Sequence, residues 1–150
     1  MKVKLEDLEG KWYVQYTNFP MWLKEENKDP FFKYYIDKKN GKVGLRDTVG
    51  YYKDGDFKDI KGFDFPQNPE NTKMKWKGSG WLFLARSYWE IKHMGKSKDW
   101  MLIYFSKTMF TPEGYDVVTR KSDLDPETKT DILDYLSEHQ LLSTLTKVED

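Results

Sequence analysis

The sequence predicts an all-β chain: an eight-stranded antiparallel up-and-down barrel with one α-helix packed outside it. Roughly eight strand-like stretches follow one another at short spacing, divided by turn residues, with no helical period between them. Gly10-Lys11-Trp12-Tyr13 opens the first stretch and Val117-Val118-Thr119-Arg120-Lys121 ends the last. Closing the sheet would lay the indole against the guanidinium across the seam. Helical spacing is clear once, after the last strand.

Each element has its local reason. Leu5 and Leu8 make a short turn that plugs the closed end, and the first strand runs over 12–16. Residues 18–30, with Phe19-Pro20 and Asp29-Pro30 as bounds, lack alternation and read as a long loop with room for a helical turn. Residues 31–37 form the second strand, and Asn40-Gly41 turns it back because both residues tolerate positive φ. Strands over 43–52 and 57–65 flank a second such turn at Asp54-Gly55. Pro66 and Pro69 then break the ladder, since neither can donate to it. Residues 72–76 make the fifth strand. Residues 81–84 follow a Gly/Ser loop, and 88–93 resume as the sixth strand. Residues 100–106, the most apolar stretch, and 115–121 complete the sheet. In the helix, Asp125 is the N-cap, Pro126 the first position and Glu127 the acid at the positive end of the dipole, while Ile132, Leu133 and Leu136 share one face. The remainder is a tail or a short extra strand.

Composition bounds the function. The 150 residues form a single domain, 1–150, with one core. Basic and acidic residues balance at 25 each and no Lys/Arg cluster is interleaved with aromatics, so nucleic acid is not expected as a partner. No stretch reaches the ~20 apolar residues of a membrane helix. The start, Met-Lys-Val-Lys-Leu-Glu-Asp, is not that of a signal peptide, and there is no Cys, so a cytoplasmic location is expected. A mature exported form whose signal has been removed stays open. Aromatic residues make up 17% of a chain that is one third charged, which calls for either a filled core or an aromatic-walled pocket.

In their order and spacing, several of these segments resemble the lipocalin family, and within it the apolipoprotein D and bacterial lipocalin branch. They are Gly10-Lys11-Trp12-Tyr13, Ile60-Lys61-Gly62, Lys73-Met74-Lys75-Trp76, Tyr88-Trp89, the closing Arg120, and Leu124-Asp125-Pro126-Glu127-Thr128 before the helix. The chain departs from the family in two places. His93-Met94-Gly95 stands where the family has Thr-Asp-Tyr, which weakens any inference that a receptor reads the closed end. The disulfides of secreted members are missing, which fits an intracellular or bacterial member.

The resemblance implies a lipocalin-like barrel that binds, and transports or sequesters, a small hydrophobic ligand: a fatty acid, lysolipid, isoprenoid or pigment. It assigns Gly10, Trp12 and Arg120 a structural role at the base, where the stack stabilises by about 1–2 kcal/mol. With the family's inward parity, Phe32, Tyr34 and Ile36 line the cavity from the second strand and Ile60 from the fourth. Met74 and Trp76 follow from the fifth and Tyr88 from the sixth, then Met101, Ile103 and Phe105 from the seventh and Val118 from the eighth. Such a wall suits an apolar or aromatic guest; the alternative is that these side chains meet and fill the barrel. Met21, Trp22 and Leu23 would form a lid over the open end; an inward cap, or a patch for a membrane or second subunit, stays open. Monomer and dimer are both open.

Two acids break the apolar pattern. Glu90 and Asp116 share the inward parity, and a lone buried carboxylate is costly. Either they reach the wet mouth, or a bulge turns them out, or they meet a partner such as Lys92 or a polar ligand. Two carboxyls in an apolar cavity are also what an acid–base catalyst would use, so the alternative function is a cofactor-independent isomerase or cyclase with Glu90 and Asp116 as catalytic candidates. No cofactor is expected, and no metal, because His93 and His139 are not placed as a ligand pair.

Overall fold

The computed structural model describes residues 1–80, 86–108 and 111–149. Helix α1 (Leu5–Leu8) leads into β1 (Gly10–Thr17), and a second short helix, α2 (Pro20–Leu23), precedes β2 (Asn27–Lys39). The chain continues through β3 (Lys42–Lys53), β4 (Asp56–Pro66), β5 (Lys73–Gly78), β6 (Arg86–Met94), β7 (Trp100–Phe105) and β8 (Gly114–Thr119). Helix α3 (Pro126–Glu138) and a two-residue strand, β9 (Thr146–Lys147), end it. Each strand from β1 to β8 pairs antiparallel with its sequence neighbour, and β8 returns to β1, closing the barrel.

The turns set the register. Asn40 (φ 54°) and Gly41 (φ 77°) form one tight connection, Asp54 (φ 50°) and Gly55 (φ 86°) the next. Both are the left-handed pairs that match the twist of a two-residue hairpin. They place Tyr34 opposite Asp47 and Leu45 opposite Asp64. Residues facing each other across a ladder point to the same side of the sheet, so these pairings decide what lies inside.

Two apolar clusters result. The inner one fills the barrel with Leu8, Trp12, Val14, Phe32, Tyr34, Leu45, Met74, Trp89, Ile91, Met101, Ile103 and Val118 among others. The outer one joins Tyr16, Trp100, Leu102 and Val117 to Ile132 and Leu136 of α3. Strand β7 is therefore apolar throughout because both its faces are covered. Asp125 caps α3 by accepting from the Thr128 N–H at 2.8 Å, and the Trp100 indole donates to Asp131 at 2.7 Å, tying the helix to the barrel wall.

The base is sealed as the sequence predicts. The Arg120 guanidinium lies 3.8 Å over the Trp12 ring, donates to the Asp7 carbonyl at 2.7 Å, and the Trp12 indole donates to Leu8 at 2.9 Å. Gly10 sits beneath this stack at φ +101°, where an added Cβ would stand 2.9 Å from Arg120. Glycine is needed there for conformation and for space.

Some boundaries differ from the expectation. Strand β2 begins at Asn27, inside the expected loop, with Asp29 at φ 53° beside a bulge between Lys28 and Phe31. Strand β8 ends at Thr119, before Arg120 and Lys121. Residues 81–84 lie outside the described residues. One side of β1 is shared: Gly10–Tyr13 pair with β2, while Tyr16 and Thr17 pair with β9. Toward the open end, the C-terminal segment thus occupies the edge that β2 leaves, with Val148 tucked into the inner cluster.

Candidate functional site

The interior is aromatic and acidic. Tyr34 stacks on Trp89 with ring centroids 5.6 Å apart. Phe105 lies 6.4 Å from Trp89 and 5.8 Å from Phe32, and Phe19 from the open end reaches Phe105 at 5.6 Å. Three carboxylates face the same space. Asp47 lies opposite Tyr34, Asp64 opposite Leu45, and Asp116 opposite Ile103, each partner being an inner-cluster residue. Their exposures are 5%, 0% and 1%, so none is at a wet mouth.

Burial governs their protonation. Asp64 is pushed well above the ordinary carboxyl range, first by desolvation and then by the Asp47 charge; the Trp89 indole, donating to Asp64 Oδ1 at 2.9 Å, only partly offsets this. Asp47 is raised by desolvation, and the hydrogen bond it receives from Asp64 pulls it back. Like charges this close cannot both ionise, so the pair holds a proton between them. Asp116 is pushed up to about 7 by desolvation against the Thr17 hydroxyl and Trp22 indole beside it. Tyr34 is raised by burial and by all three acids, which places the phenol at the focus of the cluster. Among the described residues, no Lys, Arg or His acts on these carboxylates.

Most of the expected wall lies inside. Phe32, Tyr34, Met74, Met101, Ile103 and Val118 belong to the inner cluster, with Ile36, Trp76 and Phe105 packed against it. Ile60 is half-buried on the same parity, opposite Val49. Tyr88 is a correction: it is 51% exposed, and its neighbour Trp89, at 3%, takes the interior. The phase of β6 is the reverse of the expected one, because two adjacent aromatics let alternation start on either.

The same reversal places Glu90 on the outer face, where its carboxylate meets Lys92 at 3.2 Å. Of the alternatives open for Glu90, the Lys92 partner applies, but on the outer face, which corrects the inward parity. The bulge between Ile91 and His93 lies beyond Glu90 and did not turn it outward; it sends His93 out to stack on Tyr135 at 4.1 Å. Of the alternatives open for Asp116, neither a wet mouth nor an outward turn applies: it faces the interior, opposite Ile103 and 1% exposed. Asp47 and Asp64 lie outside the expected wall, although the inward parity of Tyr34 and Ile60, carried through the two tight turns, assigns both to the interior.

Of the lid residues, Met21 and Trp22 turn inward: Trp22 is 7% exposed and meets Tyr51 edge-on at 5.4 Å. Leu23 points out, at 43% exposure. Outside the barrel, a cavity of about 210 Å³ runs between α2 with the start of β2 and the C-terminal segment, lined by Trp22, Leu23, Asn27, Lys28, Thr146 and Lys147 among others. Among the described residues, no group of three or more His, Cys, Asp or Glu is arranged to hold a metal ion.

No family profile and no curated sequence matches the chain. Solved structures do. The cockroach allergen Per a 4 superposes with a TM-score of 0.71 at 15% identity, over 98% of this chain and 88% of that one. Insecticyanin from the tobacco hornworm Manduca sexta gives 0.72 at 12% identity, over 99% and 82%. The bovine lipocalin allergen Bos d 2 gives 0.62 at 12%, over 97% and 95%. At these identities the likeness is one of fold.

Proposed function

The chain has the lipocalin fold in a form divergent in sequence, and on that premise we propose that it binds a small apolar molecule inside the barrel, to carry or sequester it. The observation that carries this reading is the connected set of rings Phe19, Phe105, Phe32, Trp89 and Tyr34, leading from the open end into a barrel sealed below by Trp12 and Arg120. The rings pack on one another, so a guest would be admitted by displacing Phe19 and Trp22 at the open end. Apolar area then leaves water on both partners at about 25 cal/mol per Å². The test is a thermal shift and Trp fluorescence screen across lipids, retinoids, tetrapyrroles and small aromatics. Trp22 and Trp89 report directly; unchanged melting and emission across the whole panel would end the proposal.

A second reading is favoured by Asp116. A buried carboxyl titrating near 7 suits general acid–base work, and the Asp47–Asp64 pair would supply the second group in place of Glu90. The reaction would be a cofactor-independent isomerisation or cyclisation of an apolar substrate. Under this reading, Asp116→Asn abolishes turnover and retains binding.

A further inference from the structure

Resting on the reading of the interior as a ligand site, we infer that the molecule it takes is a small amine: a cationic ammonium on an apolar, preferably aromatic, body. Two separate observations point to the same missing group. The first is the Asp47–Asp64 pair on β3 and β4, in which Asp47 Oδ1 and Asp64 Oδ2 are buried and meet no donor beyond the proton the two carboxyls share. The second is Asp116 on β8, which is 1% exposed and whose Oδ1 is also unpartnered. Both act on the Tyr34 phenol.

The described interior thus holds surplus acceptors and few donors. Thr17, Trp22, Trp89 and the Tyr34 phenol are the polar groups beside the carboxyls, fewer donors than the acceptors they face, and no basic side chain acts on any of the three acids. Buried acceptors left unpaired are costly, and the group that answers them is a donor with positive charge. An ammonium has three donors and no acceptor. The Tyr34, Trp89, Phe32 and Phe105 rings also supply faces that attract a cation and an apolar surface for its body. The three carboxyls are not arranged to share a metal ion. The same charges repel an acidic guest, so a fatty acid is the wrong polarity for this barrel.

The test varies the charge of one skeleton. Phenethylamine, 2-phenylethanol and 3-phenylpropionate are titrated into the wild-type protein by calorimetry at pH 7.5. Phenethylamine is expected to bind at least tenfold more tightly than the alcohol, with no binding of the acid. Asp116→Asn and Asp47→Asn, each checked for a cooperative melt, should lower affinity for the amine by tenfold or more and leave the alcohol unchanged. Equal binding of amine and alcohol, or preference for the acid, overturns the inference while leaving an apolar binding site standing. If the three compounds fail while a larger neutral ligand from the screen binds, the inference is likewise overturned. If nothing binds, the underlying reading fails with it.

Discussion

Replacing Asp116 by Asn should remove a specific part of the protein's pH dependence. The folded protein holds the Asp116 proton up to about pH 7, against 3.8 for a free carboxyl. Between those values the folded state binds the proton and the unfolded state does not, so stability falls as pH rises through that window. The contribution is fully present below 3.8 and gone above about 7. At 1.36 kcal/mol per unit, about 2.5 kcal/mol of it is lost between pH 5 and pH 8. The carboxamide is nearly isosteric with the protonated acid and cannot ionise. Asp47 and Asp64 are raised in both proteins and slope the same way in each. The difference between wild type and Asp116→Asn therefore isolates residue 116. Urea unfolding at pH 5 and pH 8 measures it. The wild-type midpoint should fall by about 1–2 M more than that of the variant, for a slope of ~1–3 kcal/mol/M. Parallel pH dependences for the two proteins would show that Asp116 is hydrated or paired, and would remove the electrostatic basis of the interior site.

Other perturbations test the frame around that site by denaturant or thermal unfolding. Arg120→Ala removes a desolvated cation–π contact and the hydrogen bond to Asp7, so it should cost about 2–4 kcal/mol; Arg120→Lys should recover less than half, lacking the planar fork. Gly10→Ala, at φ +101° and against Arg120, should cost about 1–3 kcal/mol. Trp89→Ala should cost ~3–5 kcal/mol as a core truncation, while Tyr88→Ala on the exposed face should cost less than ~1 kcal/mol; the reverse order would put β6 back in the opposite phase. Glu90→Gln and Lys92→Met, which break an outer-face ion pair, should each change stability by ~0.5 kcal/mol or less and leave ligand affinity unchanged.

The barrel, the seal at its base and the registers set by local chemistry are legible in the residue order alone. Positive φ at Asn40-Gly41 and Asp54-Gly55 needs no distant partner, and those two turns align β2, β3 and β4 residue by residue. That alignment places Asp47 and Asp64 inside; charged residues in an alternating strand simply read first as a solvent face. The sequence also carried the N-cap at Asp125 and the Trp12–Arg120 stack, because each depends on residue types at marked positions. Tertiary packing chose the phase of β6, where adjacent Tyr88 and Trp89 fit either side of the sheet. Only it decided that α3 covers Trp100 and Leu102, making β7 apolar on both faces, and that β9 takes the edge of β1 that β2 leaves. Period-two alternation states that faces differ and not which is inner. That choice is made by contacts between segments far apart in the chain, and it converts three aspartates into a buried cluster around Tyr34.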